Sequence, residues 1–177
     1  MAQAAALQPS QLLGWQTTQH KHDTTFHDDI ATMDLTGRLK HDALHFGKYV
    51  GRFYEHGTAN SPRIRQTVID TALMALGAAN ALRLNLMVVM HANVPALTEE
   101  NVIGTLAIPM GRLCSAVEKL DHLEPGGPSM NEAVLDIILW VLGAAKLYGI
   151  DDLNTAMAQR RAEISASRFY IDKPPIL

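Results

Sequence analysis

A stretch of thirteen residues occurs nearly twice in this chain. Val68–Asn80 reads VIDTALMALGAAN and Val134–Lys146 reads VLDIILWVLGAAK, and seven of the thirteen aligned positions are identical. At the same offset of 66 residues, Pro62 aligns with Pro128, Asp70 with Asp136 and Gly77 with Gly143. Helices this apolar around their circumference must be surrounded by others. A loop and helix that repeat together predict a duplicated helix–loop–helix unit. Two such units make a pseudo-two-fold four-helix bundle.

The remaining pattern is helical as well. From about Asp28 to Tyr54, Leu35, Leu39, Phe46, Val50 and Phe53 return every three, four or seven residues, the face of an amphipathic helix. His56–Pro62 is turn chemistry and ends it. Further helices are expected over about 63–84, 101–123 (broken or restarted at Pro109, with Thr98 as an N-cap upstream), 129–148 and 152–168. The loop Glu124-Pro-Gly-Gly-Pro and the stop at Gly149 separate the later ones. No segment alternates long enough to be a strand. The expected fold is all-α: a four-helix-bundle core from two tandem hairpins, plus a C-terminal helix. Residues 1–25, rich in Gln, Thr and His, read as an irregular arm, and 26–177 as one domain with pseudo-repeats at about 35–86 and 101–151.

Composition narrows the classes. A chain of 177 residues with 47% hydrophobic and 19% charged residues has an ordinary globular balance. A net charge of -3 and a pI near 6.2 argue against electrostatic nucleic-acid binding. One cysteine, Cys114, excludes an internal disulfide framework and fits a reducing cytoplasm. The N-terminal sixteen residues carry no base ahead of their apolar stretch and make a poor signal peptide. The longest apolar run, Ile103–Met110, falls short of the roughly 20 residues of a membrane span. A soluble cytoplasmic protein, bound neither to membrane nor to nucleic acid, is the expectation.

The chemistry concentrates on the first core helix. Arg38, His41, His45, Lys48 and Arg52 form one basic strip at helical spacing. His41 and His45, at i and i+4 with Asp42 beside them, suit a metal; the same strip suits a phosphate, or is a solvated face. Gly47 and Gly51, spaced as GxxxG, mark a place where another helix packs closely. HExxH, CxxC and glycine-rich phosphate loops are all missing. Asp70 and Asp136 pose a separate question. A carboxylate on so apolar a helix costs several kcal/mol to desolvate, so it must find a cation, a metal or hydrogen-bond donors. Each also sits in an early turn, where the helix dipole favours it.

The segment NEAVLDIILWVLGAAKLYGID (131–151) resembles the second core helix of the MazG-like, all-α nucleoside triphosphate pyrophosphohydrolases, which runs from an acidic turn through Asp into an apolar helix ending Leu-Gly-Ile-Asp. LYGID at 147–151 keeps that ending. RAEISASR at 161–168 is similar to the Lys-x3-Asn-x2-Arg of the family's next helix, with Arg161 and Ser165 in place of Lys and Asn. The resemblance covers about 108–170 directly and about 35–86 through the repeat. It implies Glu-x-x-Glu and Glu-x-x-Asp pairs holding Mg²⁺ (or Mn²⁺), with a metal-activated water attacking a nucleotide phosphate. Carried onto this chain, the acids depart from that pattern. Arg112 and Ser115 stand where Glu-x-x-Glu falls in the second unit, and Asp136 has Ala133 at i−3 and Glu132 at i−4. In the first unit His41, Asp42 and His45 stand in that place, and Asp70 has Thr67 at i−3.

The resemblance therefore implies a divergent nucleotide pyrophosphohydrolase with Asp42, His45 and Asp70 catalytic. Those three and Glu118, Glu132 and Asp136 would hold the metal, and Arg38, His41, Lys48, Arg52, Arg161 and Arg168 the phosphates. The missing acids favour the alternative, a non-catalytic nucleotide-binding, regulatory or oligomerisation module on the same scaffold. A third class, a histidine/aspartate metal phosphohydrolase, is prompted only by the neighbours His22-Asp23, His27-Asp28 and His41-Asp42. A homo-oligomer of two or more copies is expected in the first two cases.

Overall fold

The computed structural model describes residues 9–125 and 127–167, and among them there are only helices and connecting turns. These are α1 (Pro9–Phe26), the single turn α2 (Asp28–Ala31), α3 (Leu35–His56), α4 (Pro62–Ala81), α5 (Val102–Asp121), α6 (Gly127–Leu147) and α7 (Leu153–Ser165), with a 3₁₀ segment at Leu86–His91. The predicted boundaries hold to within a few residues for α4 to α7 because local chemistry sets them. Ser61 caps α4 by accepting from the Ile64 N–H at 3.3 Å, with Pro62 in the first turn. Asp152 caps α7 through the Thr155 N–H at 2.9 Å and hydroxyl at 2.7 Å. Gly149 ends α6 at φ +61°, a left-handed position that favours glycine.

The core is the expected four-helix bundle. α3 and α4 form one hairpin and α5 and α6 the other, and α3 packs on α5 as α4 packs on α6. Phe46, Phe53, Leu106, Leu113, Ile137 and Trp140 are buried among them, and the Trp140 indole donates to the Val102 carbonyl at 2.8 Å. α1 and α7 then pack on α4. That leaves α4 enclosed by four helices and explains why it is apolar on nearly every side.

Three expectations are corrected. The expected irregular arm is a helix over its described residues, 9–25 (residues 1–8 lie outside them): Leu12, Trp15, Gln19 and His22 of α1 form one buried face at helical spacing. Two of those four are polar, so the face leaves no apolar period to detect. Its polar groups are bonded instead to α7, the Trp15 indole to Asn154 Oδ1 at 2.9 Å and Gln19 Oε1 to Arg161 at 3.2 Å. Second, the helix expected from about Asp28 is split after Ala31, and α3 starts afresh from Asp34, whose carboxylate accepts from the Gly37 N–H at 2.7 Å. Third, Pro109 does not break α5, which runs through it; upstream, Thr98 does cap, its hydroxyl accepting from the Asn101 N–H at 3.3 Å while Asn101 Oδ1 accepts from the Thr98 N–H at 2.8 Å.

The repeat survives in three dimensions, but its two glycines do different work. A Cβ on Gly143 would lie 2.7 Å from the Pro95 carbonyl oxygen, so the loop crosses α6 where only glycine admits it. At Gly77 the nearest atom would be Asp23 Oδ2 at 3.4 Å, ordinary contact. The GxxxG glycines do not mark close packing within the chain. Nothing lies within 4 Å of a Cβ at Gly51, and only Met110 Sδ, at 3.9 Å, near one at Gly47.

Candidate functional site

The first-copy aspartate finds its compensation in two cations. Arg52 of α3 donates to Asp70 Oδ2 at 2.9 Å, and Arg160 of α7 donates through Nε to Oδ1 at 2.7 Å. Both carboxylate oxygens are thus held by guanidinium groups, the strongest neutralisation side chains offer. Burial works against the Arg160 charge, but its bonds to Asp70 and to Glu163 (2.9 Å) override that and raise its pKa. With its amide turned to face it, Gln66 also accepts from Arg160 at 3.1 Å. Thr67, one turn before Asp70, spends its hydroxyl on the Arg63 carbonyl at 2.9 Å.

Around this pair α3 supplies Tyr49, His45 and Lys48. The Tyr49 ring lies 5.2 Å from both Lys48 Nζ and Arg52 Cζ. Burial first, and the Asp70 charge second, push its phenol above the ordinary range, so it stays protonated. Burial, then Lys48, His41 and Arg52, bring the His45 imidazole down to about 4, leaving it neutral at pH 7. Lys48 Nζ and the Tyr49 hydroxyl lie 3.0 and 3.2 Å from His45 Nδ1. That nitrogen therefore acts as an acceptor and Nε2 carries the proton. Burial and then Arg52 lower the Lys48 pKa.

The second-copy aspartate lives differently. Asp136 is half-exposed and pairs with Arg112 of α5. Glu118 and Glu132 are exposed on α5 and α6. Among the described residues no three His, Cys, Asp or Glu side chains are grouped so as to hold a metal ion. With both oxygens of Asp70 on arginines, the six side chains expected to share Mg²⁺ or Mn²⁺ do not fit that role as arranged.

Asp42 faces elsewhere. It lines a cleft of about 240 Å³ walled by Ile30, Leu73 and Met74, and edged by Asp23, His27, Asp29, Arg38, His41 and His45. Only 3% exposed, it has no hydrogen-bond partner for Oδ2. Burial pushes its carboxyl up to about 7; Arg38 opposes the rise and Asp23 adds to it. Arg38 donates to the Gly77 carbonyl at 3.3 Å and lies 3.8 Å from Asp23 Oδ2. Burial also lowers the pKa of His27 and His41.

The basic strip on α3 is real, but the fold divides its members. Arg38 and His41 edge the Asp42 cleft, Arg52 serves Asp70, and Lys48 stands exposed beside His45. Arg161, expected at a phosphate, is buried and donates to Gln19. Arg168 lies outside the described residues. Arg160 is the functional neighbour the sequence pattern missed; the one signal for it was that a buried Asp70 requires a cation. No family model, curated protein or solved structure matches this chain.

Proposed function

We propose that this chain is a non-catalytic, MazG-like helical module that binds the phosphate of a nucleotide at Lys48 and Arg52. The observation that carries the reading is Asp70. The acid that a catalytic relative would turn to metal is here neutralised by Arg52 and Arg160. Lys48 supports the binding role, since it is exposed next to Arg52 and makes no salt bridge among the described residues, Asp70 acting on it only from a distance. A phosphate would relieve the repulsion between those two cations. Self-association is read from exposed apolar side chains on the outer faces of α3 and α5, Leu44 at 75% and Ile108 at 66%. A reducing compartment is read from the free, exposed Cys114. Among the described residues, no helix is long and apolar enough to cross a membrane.

The test is a nucleoside triphosphate panel, run by thermal unfolding without metal and by pyrophosphate release with Mg²⁺ and with Mn²⁺. Stabilisation by a nucleotide without turnover, weakened by Lys48→Ala, is expected. Metal-dependent pyrophosphate release abolished by Asp70→Asn would instead establish the pyrophosphohydrolase reading and overturn this one. Light scattering that returns a monomer at all concentrations removes self-association.

A further inference from the structure

The Asp42 cleft goes beyond that reading, because its charge has the wrong sign for a phosphate. Three carboxyl groups edge it, Asp23 from α1, Asp29 from α2 and Asp42 from α3, against one guanidinium, that of Arg38. Its three imidazoles, His27, His41 and His45, all have lowered pKa values, with burial the largest cause. They therefore contribute ring nitrogens rather than positive charge at neutral pH. α4 supplies only the apolar wall of Leu73, Met74 and Gly77.

Within this acidic rim one atom points to a ligand. Asp42 Oδ2 is buried and unbonded, which is costly for any oxygen and most of all for a charged one. Asp23, by contrast, accepts from Gln19 at 2.8 Å and stands near Arg38. In the carboxylate form of Asp42 the missing partner for Oδ2 is a donor, and the other carboxyl groups on the rim favour a cationic one.

Two kinds of cation meet that description, and the geometry separates them. A metal ion needs several ligands converging on one point, and no three suitable side chains are so grouped among the described residues. An ammonium needs fewer acceptors, and its carbon body can use the apolar wall that a metal would leave unused. The volume, about 240 Å³, lies below the roughly 300–1,000 Å³ of sites for drug-sized ligands, so the ligand is small. We propose that this cleft binds a small alkylammonium, with its charged nitrogen at the carboxyl group of Asp42 and its carbon chain against Leu73 and Met74.

Isothermal titration of the full chain with butylamine and 1,4-diaminobutane tests this, with 1-butanol, Mn²⁺, Zn²⁺ and orthophosphate as comparison ligands. Saturable binding of an amine is expected, weakened at least tenfold by Asp42→Asn. If Asp42→Asn does not fold, Asp29→Asn, at an exposed position, carries the test, with a severalfold loss of amine affinity expected. The proposal fails if no amine binds, if the substitution that folds leaves amine affinity unchanged, or if 1-butanol binds as tightly as butylamine. It also fails if Mn²⁺, Zn²⁺ or orthophosphate displaces the amine at lower concentration. Because the phosphate site is probed by Lys48→Ala and by nucleotides, failure here is distinguishable from failure there.

Discussion

The two copies of the repeat allow one substitution to be made in two environments. Asp70→Asn and Asp136→Asn remove the same charge at aligned positions. At Asp70 the side chain is 8% exposed and its partners Arg52 and Arg160 are 16% and 23% exposed, so the ion triad is largely desolvated. Removing one member of a buried pair strands its partners, a loss of about 3–5 kcal/mol; the partial exposure of Arg160 places the expectation near the lower end, about 3 kcal/mol. At Asp136 the pair with Arg112 is 44% and 45% exposed, and solvent screening holds the loss to about 0–1 kcal/mol. For a chain this size, 3 kcal/mol corresponds to roughly 6–12 °C in Tm. Urea denaturation followed by circular dichroism measures both variants, with an unchanged m-value required for the comparison. A double-mutant cycle of Asp70→Asn with Arg160→Gln then gives the pairwise coupling, expected to exceed about 1 kcal/mol. If the two Asp variants lose equal stability, or if Asp70→Asn is neutral, the arginines are not what permits Asp70 to be buried.

Further outcomes follow from other parts of the fold. Gly143→Ala drives a methyl into the Pro95 carbonyl and is expected to cost about 1–3 kcal/mol, whereas Gly77→Ala meets only ordinary contact and changes stability by less than about 1 kcal/mol; thermal unfolding of the two variants side by side checks this. Asp42, with its folded pKa raised to about 7 from 3.8, favours the protonated folded state. The folded chain then binds more protons than the unfolded one between those values, so this group's contribution declines as pH rises from about 4 to 7 and is lost above that. Asp42→Asn is therefore expected to stabilise the protein by about 1–3 kcal/mol at pH 8 and much less at pH 4, read from denaturation midpoints across the pH series. Leu12→Ala in α1 is expected to cost about 2–4 kcal/mol, as for any fully buried leucine, and a cost below about 0.5 kcal/mol would show that α1 is not part of the folded core.

The parts of the site were legible to different degrees. The basic strip on α3 could be read from spacing alone, because residues three and four apart share a helix face whatever surrounds it. Its division between two sites could not. Arg38 joins the cleft only because Asp23 at the end of α1 is carried onto α4 beside Gly77, and Arg52 joins Asp70 across the α3–α4 hairpin. The buried role of α1 was hidden for a related reason. Gln19 and His22 lie on its inner face and are accommodated by Arg161 and Ser165 of α7, more than a hundred residues away in the chain.

What the sequence determined by itself is the four core helices, the helix that follows them, and the pairing of the four into two like hairpins. Those follow from backbone bonds four residues apart, from caps such as Ser61 and Asp152, and from apolar spacing, all of them local. Which of the two matching aspartates is buried was decided by tertiary structure. α1 and α7 pack on α4 and bring Arg160 to Asp70 across 90 residues of chain, while Asp136 keeps a half-exposed partner on the neighbouring helix. Burial and charge pairing depend on what the rest of the chain places nearby, and two nearly identical segments carry no record of that difference.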